Sequence, residues 1–70
     1  MDVVYVNVLN YDSGNDSFNI GYALSVKRGV IRRTVATYYK DGTLSRDDNN
    51  NKLKSLIKER IETFLDRNRS

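Results

Sequence analysis

Tyr5, Asn7 and Tyr11 stand at odd positions near the start of the chain, and Arg32, Thr34 and Tyr38 at even positions around its midpoint. Lys27 and Arg28 lie between the two sets. On an open sheet face these residue types share one chemistry. Aromatic rings stack unpaired bases, and Arg holds a phosphate or a guanine edge. The same half-apolar surface is also what a homodimer or a protein partner would cover. The plain alternative is a solvated face made of residues that favour strands. A second pair, Arg33 and Arg60, could bracket an anion or a partner's carboxylate at the edge between the third strand and the helix. The competing reading is two long side chains that bury their stems and keep their heads in water.

Catalytic chemistry has little to work with. There is no Cys and no His, so thiolate nucleophiles, disulfides, Cys or His zinc sites and a base poised near neutral pH all lack their usual residues. Asp12 with Asp16 lacks the ligand order of a calcium loop, and Asp47-Asp48 reads as helix capping. Neither G-x-x-x-x-G-K-[ST] nor G-x-G-x-x-G occurs. The expectation is a protein that is not an enzyme and takes no cofactor and no metal.

Charge is unevenly spread. Residues 1–26 hold three acids and no base, residues 27–46 six bases and one acid, and residues 47–70 six bases and five acids, for a net charge of +3. The excess lies on the second turn, the third strand and the loop after it, where it can attract polyanions.

The elements that must position these groups follow from pattern. Phe18, Ile20, Tyr22, Leu24 and Val26 alternate with small or polar residues, the period-two signature of a strand with one buried face, and this run is read as the central strand. Val3–Tyr11 reads as a first strand. Five turn formers, residues 12–16, separate the two. Pairing Tyr11 with Ser17 sets Val8 against Ile20, Val6 against Tyr22 and Val4 against Leu24. A two-residue turn at Arg28-Gly29 pairs Val26 with Ile31, Tyr22 with Val35 and Phe18 with Tyr39. Ser45-Arg-Asp-Asp48 has capping-box spacing, and Leu53, Leu56, Ile57, Ile61 and Phe64 form an apolar helical stripe with Leu65 on its flank.

The predicted fold is therefore a single two-layer α+β domain of seventy residues, β-β-β-α, with an antiparallel meander ordered 1-2-3 and one C-terminal helix on one face. Strands span about 3–11, 17–27 and 30–39, and the helix about 47–67. The core is Val4, Val6, Val8, Phe18, Ile20, Tyr22, Leu24, Val26, Ile31 and Val35 against the helical stripe. The uncovered face shows Val3, Tyr5, Asn7, Leu9 and Tyr11, then Asn19, Gly21, Ala23 and Ser25, then Val30, Arg32, Thr34, Ala36 and Tyr38. The chain opens on Met-Asp without the basic stretch of a signal peptide, and no apolar run approaches a membrane span, so a cytoplasmic protein is expected.

The element order is similar, in topology alone, to the first half of a ribonuclease H-like domain, where Gly21-Tyr22-Ala23 would lie on the second strand. Asn7 and Lys54 stand where such an enzyme needs carboxylates. The layout is also similar to the sheet-based DNA-binding domains at the N-termini of some phage-type integrases. The functional expectation is a nucleic-acid-binding module using the open face and the Lys27-Arg28 turn. Its alternative is a small homodimeric, protein-binding or inhibitory factor using the same face.

Overall fold

β2 (Ser17–Lys27) is the central strand of the sheet, flanked by β1 (Asp2–Asp12) and β3 (Val30–Tyr39) in antiparallel order β1-β2-β3. The helix α1 (Asn51–Arg67) follows and lies over β1. These elements come from a computed structural model, which describes residues 2–68. The fold is α+β, as the alternation and the helical stripe require. β2 holds the centre because its alternating residues find cover on both sides. Ile20, Tyr22 and Leu24 are fully buried under the helix layer, and Ala23 is fully buried on the opposite face.

Register departs from expectation at three bulges, each of which inserts one extra residue and exchanges the faces of everything beyond it. Within β1 the expected pairs Val8 to Ile20 and Val6 to Tyr22 form. Extra residues near Val4 and Leu9 then set Val3, not Val4, opposite Leu24, Tyr11 opposite Phe18, and Asp12, not Tyr11, opposite Ser17. Val3 and Tyr11, expected on the open face, thus join the helix side, where the Tyr11 and Phe18 rings meet at 4.9 Å. Val4, expected in the core, is half exposed.

The second hairpin has the expected two-residue turn, with Gly29 at φ 77° and Lys27 closing on Val30. A bulge at Val26 shifts the rest of the ladder by one, so Tyr22 pairs with Thr34 and Phe18 with Tyr38. This corrects the expected pairs Val26 to Ile31, Tyr22 to Val35 and Phe18 to Tyr39. Arg32, Thr34, Ala36 and Tyr38 turn toward the helix layer, and Ile31, Arg33, Val35 and Tyr39 turn out. Thr34, Ala36 and Tyr38 are buried, while Ile31, Val35 and Val26 are exposed.

The segment after β3 explains what the inner face of that strand packs against. Gly42, at φ 90°, lets the chain double back, and Leu44 becomes buried in a bridge to Tyr38. The Ser45 amide donates to the Thr37 carbonyl at 2.9 Å, and the Thr37 amide donates to Ser45 Oγ at 2.8 Å, closing part of the β3 edge.

The helix starts at Asn51 rather than near 47. Asn50 is the cap, its side chain accepting from the Leu53 amide at 3.1 Å. Asp48, expected to cap, accepts instead from the Leu44 amide and from Lys54 Nζ, each at 2.9 Å. Leu53, Ile57 and Ile61 are buried, Leu56 packs partly buried at the margin, and Phe64 meets Phe18 edge-on at 6.3 Å. Burying each of the fully covered residues contributes roughly 1.5–3 kcal/mol. No helix among the described residues is long and apolar enough to cross a membrane.

Candidate docking surface on the open sheet face

Ladder positions on the side away from the helix define the surface. Tyr5, Ala23 and Arg33 lie in one row across the strands, and Asn7, Gly21 and Val35 in the next. Asn10, Asn19 and Thr37 come after, then Asp12, Ser17 and Tyr39. The central strand supplies only small or polar residues here, so its floor is low and its neighbours stand as rims. The rims close over the floor: Ala23 has no exposed area, and a Cβ built on Gly21 would lie 3.4 Å from the Leu9 side chain. Leu9, the extra residue of its bulge, is thereby laid over Gly21.

Large apolar side chains remain exposed around this floor. Val35 keeps 63% of its area in solvent, Leu9 54%, Ile31 43%, Tyr39 42% and Tyr5 38%. A depression of about 300 Å³ lies among Tyr5, Asn7, Leu9, Gly21, Arg33 and Val35. A more polar one of about 400 Å³, lined by Asn15, Asn19 and Tyr39 among others, lies at the end nearer the first hairpin loop. Asn19 Nδ2 donates to Asn10 Oδ1 at 2.7 Å across this face, so the central amides are already partnered. Arg33 is the one cation in these rows.

The expected binding set is divided by the register shift. Tyr5 and Asn7 are on the open face, and Lys27 and Arg28 are exposed at the β2–β3 turn. Tyr11, Arg32, Thr34 and Tyr38 are on the other side. The Tyr11 hydroxyl donates to Asp16 at 2.7 Å, and Tyr38 is 7% exposed. Arg32 donates through Nη1 to Thr34 Oγ1 at 3.0 Å and through Nη2 to both carboxylate oxygens of Asp47 at 2.9 and 3.0 Å. Its guanidinium is spent on this chain's own carboxylate, which takes it out of the role of a phosphate contact.

Asp47 is held for that purpose. Its backbone is in the left-handed region at φ 57°, a conformation Asp tolerates better than most residues. The Tyr22 hydroxyl donates to it at 2.6 Å. Burial pulls the Asp47 carboxyl up, but the Tyr22 hydrogen bond and the adjacent Arg32 guanidinium outweigh it and hold the group below its ordinary value. Burial first, and then the bond to Asp47, push the Tyr22 hydroxyl up to about 12. This trio is a latch between sheet and loop. No buried side-chain polar atom among the described residues lacks a partner.

Arg33 and Arg60, expected to bracket one anion, are apart: Arg33 lines the open face, and Arg60 lies across β1 with Asn7 and Val8. Among the described residues, no group of three or more His, Cys, Asp or Glu is placed to hold a metal ion. Leu9 is exposed on the face where the sequence placed it, whereas sequence reasoning missed Ile31, Val35 and Tyr39 as surface residues. Their own pattern carried no signal, since β3 has apolar residues at both parities and only the bulge at Val26 decides between them.

Comparison of the chain with protein-family models, with curated proteins and with solved structures finds no significant match.

Proposed function

We propose that this chain is a non-enzymatic binding module that docks a protein surface on its open sheet face, and that the surface it docks is a second copy of itself. The carrying observation is the set Leu9, Ile31, Val35, Tyr5 and Tyr39. These large apolar side chains stand exposed along one face, from Ile31 opposite Ser25 to Tyr39 opposite Ser17, with Arg33 the one cation in the rows between. An exposed patch of that kind is characteristic of interaction sites. A two-fold axis through this face would set the exposed rims of one copy against those of the other. A face three strands wide and ten or eleven residues long covers roughly 500 Å². Two copies would thus bury about 1,000 Å², near the lower bound for a specific interface, and the association is weak and concentration-dependent. The module works in the cytoplasm, where a chain without Cys forgoes nothing by lacking disulfides.

Sedimentation across a hundredfold range of concentration tests this. The mass should rise from monomer toward dimer, and Val35→Asp should hold it at monomer without loss of fold. A monomeric mass throughout, identical for Val35→Asp, would sink the reading.

Nucleic-acid binding is the second reading, favoured by Lys27 and Arg28, both exposed at the hairpin end, with Arg33 on the face beside it. A titration with single- and double-stranded DNA and RNA at two salt concentrations separates the two. Polyanion binding weakens steeply with salt, whereas an apolar protein interface barely responds.

A further inference from the structure

The two edges of the sheet are finished differently. The outer edge of β3 is closed in part by residues 43–45. The outer edge of β1 has no backbone hydrogen bond to any other described segment. Beside it runs a groove of about 470 Å³ between β1 and the second half of α1, lined by Asn7, Val8, Arg60, Thr63, Phe64 and Arg67. The four helical residues fall at spacings of three and four, so they form one stripe facing the strand. Arg60 and Arg67 are both exposed, and neither forms an ion pair among the described residues. No acid lines the groove: the helix's Glu59, Glu62 and Asp66 are all absent from its wall. Two guanidiniums are thus held over a sheet edge whose backbone groups are free to pair.

We propose that the β1 edge and this groove take a short extended peptide with carboxylates at alternate positions, its backbone pairing with residues 5–8 and its acids reaching Arg60 and Arg67. An added strand sends alternate side chains to one face, about 7 Å apart. The two Arg positions lie about 10 Å apart along the helix, a difference that flexible side chains close. Guanidinium pairs with carboxylate in bidentate geometry, which makes Arg the fitting residue for such a contact.

The occupant is a short peptide rather than β1 of a second copy, for two reasons on the strand itself. Bulges at Val4 and Leu9 leave only Tyr5 to Val8 regular between them, and bulges of this kind protect edges from long edge-to-edge pairing. A two-fold antiparallel pairing centred on Asn7 would also set Asp2 against Asp12 of the other copy at both ends, like charge against like.

The test uses the full chain and three labelled eight-residue peptides that alternate Val with Glu, with Gln or with Lys, followed by fluorescence anisotropy and by amide shifts in NMR. The Glu peptide should bind at least tenfold more tightly than the Gln peptide, with shifts at residues 5–8 and along the 60–67 stripe. Arg60→Glu with Arg67→Glu, both at exposed positions, should lose that preference and favour the Lys peptide. Equal affinity for Glu and Gln peptides, or no binding at low salt, overturns the proposal. So do shifts confined to the helix, which indicate loose charge attraction, and shifts centred on Arg33 and Val35, which place the peptide on the open face. Self-association is read separately by sedimentation, so either site can fail without the other.

Discussion

The two faces of this sheet are built from the same three strands, yet they end in opposite states. On the helix face Ile20, Tyr22, Leu24, Leu53 and Ile57 are fully buried, and the polar groups there, Tyr22, Arg32 and Asp47, are joined to one another. On the open face the centre is closed by its own rims, while Leu9, Ile31 and Val35 stay in solvent. Within β3, which has apolar residues at both parities, apolar content alone does not choose the buried face. The choice falls to the face that a helix and a returning loop can cover while satisfying every polar group they bring with them.

The largest effect should come from the covered face. Ile57→Ala removes a fully buried side chain and should cost about 2–5 kcal/mol, enough to unfold much of a domain this small, as chemical denaturation would show. Leu56→Ala, at the partly buried margin, should cost clearly less. Equal losses at the two positions would mean that the helix is rotated from the orientation described.

Next is the latch. Asp47→Ala leaves the buried Tyr22 hydroxyl without its acceptor and should cost roughly 1–3 kcal/mol, measured in the same denaturation series. Its pH signature has two arms. Tyr22 has a folded value raised to about 12, so its contribution is complete below the ordinary tyrosine value near 10 and disappears as pH rises from there toward 12. The loss should be roughly 2–3 kcal/mol. Asp47 is lowered, so its contribution is present above the ordinary carboxylate value near 4 and is lost as pH falls through its folded value. In Tyr22→Phe the alkaline arm should vanish. If the wild type and Tyr22→Phe lose stability alike between pH 10 and 12, the hydroxyl is not held as described.

The smallest effect on stability should come from the open face. Val35→Asp should change unfolding free energy by no more than about 0.5 kcal/mol while suppressing self-association. A large destabilisation would show that the open face contributes to the core after all, and the contrast between the faces would fail.

Much of this architecture is legible before any coordinates. The alternation of Phe18 to Val26 identifies the central strand and its inner face, and Val6 and Val8 pair where matching apolar faces put them. The stripe Leu53, Ile57 and Ile61 marks a helix with one buried side. The candidate surface is legible only in part. Tyr5, Asn7, Lys27 and Arg28 are where pattern places them, whereas Arg32, Thr34 and Tyr38 are not, because one residue at Val26 exchanges the faces of β3. Leu44 and Asp47 could not be read as partners of Tyr38 and Arg32, since each pair joins residues that no local periodicity connects.

What the sequence determined by itself, then, is the order of the elements, the antiparallel meander and the burial of one face of β2, because period and turn chemistry are local properties of the chain. The tertiary structure alone decided which side of β3 faces inward. Either register offers that strand an alternating apolar set, so local preference is nearly balanced. The balance is broken by distant groups: Leu44 covering Tyr38, and Asp47 receiving both Arg32 and Tyr22, satisfy the buried polar atoms in one register and would strand them in the other.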